Sequence, residues 1–499
     1  MKKNLGFFLI LLASLCGTSS VAATRLDFAT IDRLTYRCFQ EEKWDSVIVV
    51  GKQALRQDID YYYLRVRMGI SYFKKSDYFP AATHLKKARQ FNSSDPIVAN
   101  YLYLAYLYTN RSEEARVTGP LNPGLKPGDE PGDEPGGLEE IHAEGGYMVS
   151  SDRAPANLAT LMGSDSLYGE QDLYGNSSYS NLSVKLRIAK RVSLSAAFNY
   201  LDFAKTKYIQ YCSIEDQLQT IADSSWGKFY HYTFPKVIHD TSFTYHVTQF
   251  EGHIGATVLL PWGLKVMPAF HFIHVSYPVV SSAYKLQRVT DTGYFTAYDS
   301  NYVTFPFDRV VYSYSRSDTS FNNYVAALQV TKDLGMFNIG VHGSWSNLNN
   351  KTQKQAGASL TWYPLGNLNL YETTTATGFF QGTVQRLLLS QVIGAKITPW
   401  MWGEANFYYG DYTNANIFNG SIVYNNSDMI DYRGGASLVF QAGKHLSFSI
   451  IYQYSRRESQ QIYYIKTQDP DTHLVNEVKQ TTNNPYNTNT LIGGITWKF

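Results

Sequence analysis

From Leu138 to Phe499, apolar and polar residues alternate with a period of two in runs of ten or more residues, and this limits the fold more than any other feature. Leu182, Val184, Leu186 and Ile188 fall opposite Ser183, Lys185 and Arg187. Leu387, Leu389, Ile393, Ala395 and Ile397 fall opposite Arg386, Ser390 and Lys396. In the last run Leu491, Ile495, Trp497 and Phe499 oppose Thr490, Thr496 and Lys498. Each run thus has one apolar face and one polar face. Strands of soluble sandwiches average about 5 or 6 residues, so runs of this length suit strands that cross a hydrocarbon layer of about 30 Å at a tilt.

Turn signals set the connectivity. Tight turns are predicted at Ala189-Lys190-Arg191, Pro261-Trp262-Gly263, Lys332-Asp333-Leu334-Gly335, Pro364-Leu365-Gly366-Asn367, Pro399-Trp400 and Ala442-Gly443-Lys444. Long polar connections are expected at about 150–177, 213–240, 278–319, 411–427 and 466–485, with shorter ones near 350 and 382. With a first strand near 138–149 and a last near 487–499, the count reaches fourteen, both ends lying on the short-turn side. Short turns on one rim and long loops on the other are the asymmetry of an outer-membrane barrel. Closure is required, because an open sheet edge in lipid leaves backbone groups unpaired.

Composition agrees. Charged residues are 17% of the 499, against about 25% in ordinary soluble domains, while aromatics reach 15%. The 44 Lys and Arg against 42 Asp and Glu leave a net charge of only +2, too small an excess for nonspecific nucleic-acid binding. Lys2 and Lys3, the apolar run Leu5 to Leu15 and the small residues up to Val21-Ala22-Ala23 read as a secretory signal peptide over 1–23. Cys38 and Cys212 remain after it, too few for a disulfide framework.

Residues 24–118 carry helical periodicity with a register of 34. Cys38, Tyr72 and Tyr106 keep that step, as do Trp44, Tyr78 and Ser112, then Val47, Ala81 and Ala115, and the pair Ala54 and Ala88. With Gly69, Tyr72, Ala81, Leu85 and Ala88 in its best copy, the segment resembles the tetratricopeptide repeat, whose small residues let paired helices pack closely. That resemblance implies a protein-binding face, for which Tyr61, Tyr62, Tyr63, Tyr101 and Tyr103 are candidates. A linker at 119–137, with Pro-Gly-Asp-Glu repeated at 127–130 and 131–134, separates this domain from the barrel at 138–499. The expected fold is a short all-α array followed by an all-β antiparallel transmembrane barrel of about fourteen strands.

No phosphate loop, CxxC pair or HExxH helix is present, and nothing asks for a cofactor or a metal. His271 and His274, three apart on a strand, fall on opposite faces. His142 with Glu144, and Glu251 with His253, share inward faces. Glu140, Lys185, Arg187, Lys265, Arg386, Lys396, Glu404 and Arg433 join them as polar candidates for the lumen, a balance that sets no strong sign. These read as a neutralised polar filling rather than as catalytic groups, and no enzyme is expected.

The terminal Gly494-Ile495-Thr496-Trp497-Lys498-Phe499 resembles the signal that outer-membrane barrels present to their assembly machinery, which implies roles for Gly494, Trp497 and Phe499. The domain order as a whole resembles exopolysaccharide export channels and surface lipoprotein assembly modulators. It implies an outer-membrane barrel bounded by lipid, with a periplasmic helical domain that recruits a client or partner for export or surface assembly. A passive porin-like channel is the alternative, and a barrel enzyme a more distant one.

Overall fold

A computed structural model describes residues 26–119, 137–152, 166–214, 217–224, 227–233, 236–295, 301–425, 428–468 and 475–499. The leader expected at 1–23, and all but the two ends of the linker expected at 119–137, lie outside these residues. The chain divides into two compact units, 1–105 and 106–499.

The helices are α1 (Phe28–Gln40), α2 (Trp44–Arg56), α3 (Tyr62–Lys74), α4 (Tyr78–Phe91), α5 (Pro96–Tyr108) and α6 (Ser112–Thr118). Odd helices begin at 28, 62 and 96 and even helices at 44, 78 and 112, so the register of 34 is one of structure as well as sequence. The turns repeat too. Glu42, Ser76 and Asn110 take left-handed φ of 53°, 63° and 55°. The following amides of Lys43, Asp77 and Arg111 return to the carbonyls of Cys38, Tyr72 and Tyr106. This is a Schellman closure of each odd helix, built without glycine. Ile31, Val47, Leu64, Met68, Phe79 and Leu85 form the core of the first unit. Gly69 lets α4 approach α3, since a Cβ there would lie 2.6 Å from Leu85 Cγ. The helical run ends at Thr118 as its sequence suggests, but α6 belongs to the second unit.

The second unit is a closed antiparallel barrel of fourteen strands, each paired with its sequence neighbours and the first with the last. They are β1 (Gly137–Ser150), β2 (Ser166–Ala189), β3 (Val192–Ile214), β4 (Lys236–Leu259), β5 (Leu264–Phe295), β6 (Asn301–Leu334), β7 (Phe337–Ser346), β8 (Gln353–Trp362), β9 (Leu370–Gln381), β10 (Val384–Thr398), β11 (Met401–Tyr409), β12 (Met429–Ala442), β13 (Leu446–Gln468) and β14 (Val475–Lys498). All six tight turns fall where the sequence puts them.

The long-loop side differs from expectation. The segment 278–319 is mostly ladder, since Tyr277 to Phe295 of β5 pair with Thr319 to Asn301 of β6. Tyr, Val and Thr recur through it, and such residues continue a ladder into water when the partner strand has the same composition. Above the end of β1, Gln461 to Ile465 of β13 pair with Gln171 to Ser166 of β2.

The outer surface explains the apolar row of each strand. Leu182, Phe198, Ile254, Phe270, Leu360, Leu387, Leu389, Ile393, Leu491 and Trp497 are all exposed on it. Phe337 and Trp345 mark its two aromatic borders on β7, eight residues apart on one face. At about 3.3 Å per residue and a tilt near 40°, that step spans roughly 20 Å of height, close to the apolar band of membrane barrels. A closed barrel with such a belt spans a membrane. Among the described residues no helix is long and apolar enough to do so.

Candidate functional site

The inward rows of the strands carry the polar residues, and two pieces of chain occupy the space they enclose. The first is α6, at the short-turn mouth. Arg116 donates to Glu139, which a bulge between Leu138 and Glu140 places beside it, and to Ser193 Oγ at 2.9 Å. Arg111 reaches Glu114 at 2.9 Å and Asp333 at 3.1 Å. Lys265 completes the set, 3.1 Å from Glu114 and 3.5 Å from Glu113. Lys185 lies 3.5 Å from Glu139. Four cations, Arg111, Arg116, Lys185 and Lys265, thus meet four carboxylates, Glu113, Glu114, Glu139 and Asp333. All but Lys185 are largely removed from water. In such a site the pairing offsets desolvation, whereas removing one member leaves a charge uncompensated.

The second piece is the segment 411–425, which was expected as an outer loop and instead folds into the lumen. Gln355 of β8 exchanges bonds of 2.8 and 2.9 Å with the Asn416 backbone, and Asn416 Nδ2 donates to Ser344 of β7 at 3.0 Å. Asn419 donates to the Met267 carbonyl at 2.8 Å. His271 Nδ1 lies 2.8 Å from the Gly420 carbonyl, so the segment reaches across to β5. At its base Arg386 donates to Asp411 and, at 2.6 Å, to the Thr413 carbonyl. Tyr412 and Ala415 bury with Phe379, Leu388, Tyr408 and Ile430. Apolar residues that would be wet on an outer loop, with amides that match the inward polar row, account for the inward fold.

Of the lumen residues named from sequence, His142 and Glu144 do pair, at 3.1 Å, with Tyr179 donating to Glu144 at 2.8 Å. Glu140 is half-buried on the same strand. Arg187 is buried, and Arg433 donates to Tyr424 Oη beneath the Tyr408 ring. Tyr371 donates to Glu404 at 2.6 Å. The same ring covers Gly394, where a Cβ would come within 2.1 Å of it. Glu251 faces inward with His253, but its partner is His271, at 3.2 Å, with Asn199 donating at 2.7 Å. His253 and His271 are register partners across β4 and β5. Lys396 stands on the same row as Gly394, exposed at the short-turn rim over the ring of its register partner Trp402, 4.8 Å from its centre.

Among the tyrosines, Tyr103 is 6% exposed and belongs to the core, which removes it from any binding face. Tyr61 and Tyr62 are half-buried and donate to Asp32 and Asp95. Burial and the Asp32 bond push the Tyr61 hydroxyl up to about 12. Tyr101 packs edge-on against Phe73. Tyr63 alone of the five is widely exposed. Gly494 sits beneath His142 and Glu144, Trp497 stacks on His445, and Phe499 is exposed.

Sequence reasoning found α6 as a helix but missed its seat in the barrel mouth, and it missed the inward fold of 411–425 and the pairing of His271 with Glu251. The first had a signal in Arg111-Ser-Glu-Glu-Ala-Arg116, whose charges stand among the more apolar helices before it. The third could have been read by counting outward from the turn at Trp262, which sets 253 opposite 271. Nothing local marks 411–425 as inward.

These features define a transmembrane β-barrel of the outer-membrane kind whose lumen holds two pieces of its own chain. Among solved structures, Omp33 of Acinetobacter baumannii is similar over 72% of this chain and 99% of its own, at 9% identity and a TM-score of 0.30. A Pseudomonas aeruginosa FadL homologue is similar over 72% and 90%, at 10% identity and 0.30. The Ralstonia pickettii toluene transporter TbuX is similar over 73% and 90%, at 10% identity and 0.29. The sequence matches no protein-family model and no curated protein.

Proposed function

We propose that this protein is a stoppered outer-membrane barrel whose periplasmic helical array recruits a client or partner for export or surface assembly. The observation that supports this reading is the place of α6. It repeats the spacing of the even helices at 44 and 78, yet its charges are spent inside the mouth of the barrel. The array is therefore continuous in sequence with the stopper, so a partner that draws on the array pulls on α6. A permanently open diffusion pore has no use for buried ion pairs that close its mouth. The tetratricopeptide resemblance and the exposed Tyr63 fit a protein partner on the array, and a short-turn rim facing the periplasm fits the usual orientation of such barrels.

The test is removal of residues 26–105 with the leader and 106–499 kept. The barrel should still insert and remain closed, while one surface product, polymer or lipoprotein, is lost. Unchanged surface products at a normal barrel level would reject the recruitment role. A solute channel is the second reading, supported by a lumen cavity lined without Asp, Glu, Lys or Arg, and would be favoured if solute uptake instead followed barrel level.

A further inference from the structure

Between the inward rows of β6 to β11 and the plug lies a cavity of about 200 Å³. Its lining differs from the rest of the lumen. Ion pairs occupy the mouth and the Glu251 region, but none of the residues lining this cavity is Asp, Glu, Lys or Arg. Four strands and the plug instead supply Gln329, Ser359, Thr375, Ser390 and Asn419. The Asn419 Oδ1 atom is buried without a hydrogen-bond partner, although its Nδ2 is used. The rings of Tyr408 and Tyr412, packed edge-to-face at 5.9 Å, border the same space.

We infer that this cavity binds a small uncharged polyhydroxylated molecule, one saccharide ring in size. Hydroxyls and amides on several sides, each able to donate or accept, match a ligand with hydroxyls around its rim, and tyrosine rings match its C–H faces. Apart from His342, which lies 2.9 Å from Thr377 Oγ1, the lining holds no side chain that could serve as a counter-ion, so a charged ligand would be desolvated here at a cost. The volume holds roughly seven waters at liquid density and lies below the range of about 300–1,000 Å³ for drug-sized ligands, so a single ring fits and a polymer segment does not. The site is independent of the recruitment role proposed above.

The experiment is calorimetric titration of the purified full chain in detergent with glucose and N-acetylglucosamine, against glucuronate and glucosamine as charged ring counterparts of similar size. Saturable binding of at least one neutral sugar is expected, with the charged pair at least tenfold weaker. The near-isosteric Thr375→Val and Ser390→Ala changes should together weaken it about tenfold, while heat-modifiable mobility on gels confirms that the barrel is intact. If the double variant fails to fold, Gln329→Leu replaces it. No saturable binding of either neutral sugar, equal binding of the charged pair, or unaltered affinity in a folded variant would overturn the assignment.

Discussion

Glu114→Lys should release α6 from the barrel mouth. Glu114 lies 2.9 Å from Arg111 and 3.1 Å from Lys265, and its side chain is 6% exposed. At an effective dielectric of about 20, each contact is worth roughly 5 kcal/mol of gross Coulomb energy. The net cost is smaller, because Asp333 still holds Arg111 and Glu113 still faces Lys265. Breaking a buried pair costs about 3–5 kcal/mol, and the remaining partners place this site at the lower end. A loss of about 3 kcal/mol raises the unseated population by about two orders of magnitude. Ala115 is fully buried on α6. In a chain with Cys38 and Cys212 replaced by serine, maleimide labelling of Ala115→Cys therefore reports unseating. The rate should rise about 100-fold with Glu114→Lys and fall back at least tenfold when Lys265→Glu restores the charge balance. Equal labelling rates in all three chains would refute the claim that these charges seat the helix.

Other expectations follow from single contacts. His84 stacks on Tyr72 and lies 3.0 Å from Arg65, with Asp60 and Lys52 also nearby. Burial, and then Arg65, lower its pKa to about 4. The unfolded chain therefore binds the proton first, so unfolding free energy falls as pH drops from about 6.5 toward 4, by at most about 3 kcal/mol. Urea unfolding of the helical unit followed by circular dichroism should show this slope, and His84→Gln should remove it; an unchanged slope would contradict it. Gly394→Ala should cost about 1–3 kcal/mol through overpacking against Tyr371, read as a lower unfolding temperature by gel mobility, and a neutral result would mean that the ring does not cover the glycine. Ile393→Arg, on the outward face, should cost about 2–4 kcal/mol if that face lies in lipid; folding into vesicles with undiminished stability would place it elsewhere.

Repetition made much of this fold legible. The rows Leu182 to Ile188 and Leu387 to Ile397 carried the period, and the six turns fixed the strand count, because a tight turn needs special residues at fixed positions. The register of 34 was readable from residues as unlike as Cys38, Tyr72 and Tyr106, because each occupies the same place before a helix turn. The site was less legible because its partners are distant in sequence. Arg116 meets Glu139 and Ser193, His271 meets Gly420, and Gln355 meets Asn416, contacts made only once the barrel has closed. Polarity assigned Lys185 and Arg187 to the interior, but it could not separate an outer loop from a segment that turns inward, since 411–425 is rich in Asn and Tyr for either environment.

Planar-bilayer conductance of the purified full chain tests the occluded barrel most directly. With α6 seated in the mouth and 411–425 across the lumen, the wild-type protein should insert without a steady ionic current, while Glu114→Lys should produce frequent openings. A steady ohmic current through the wild-type protein, unaltered by Glu114→Lys, would contradict the account.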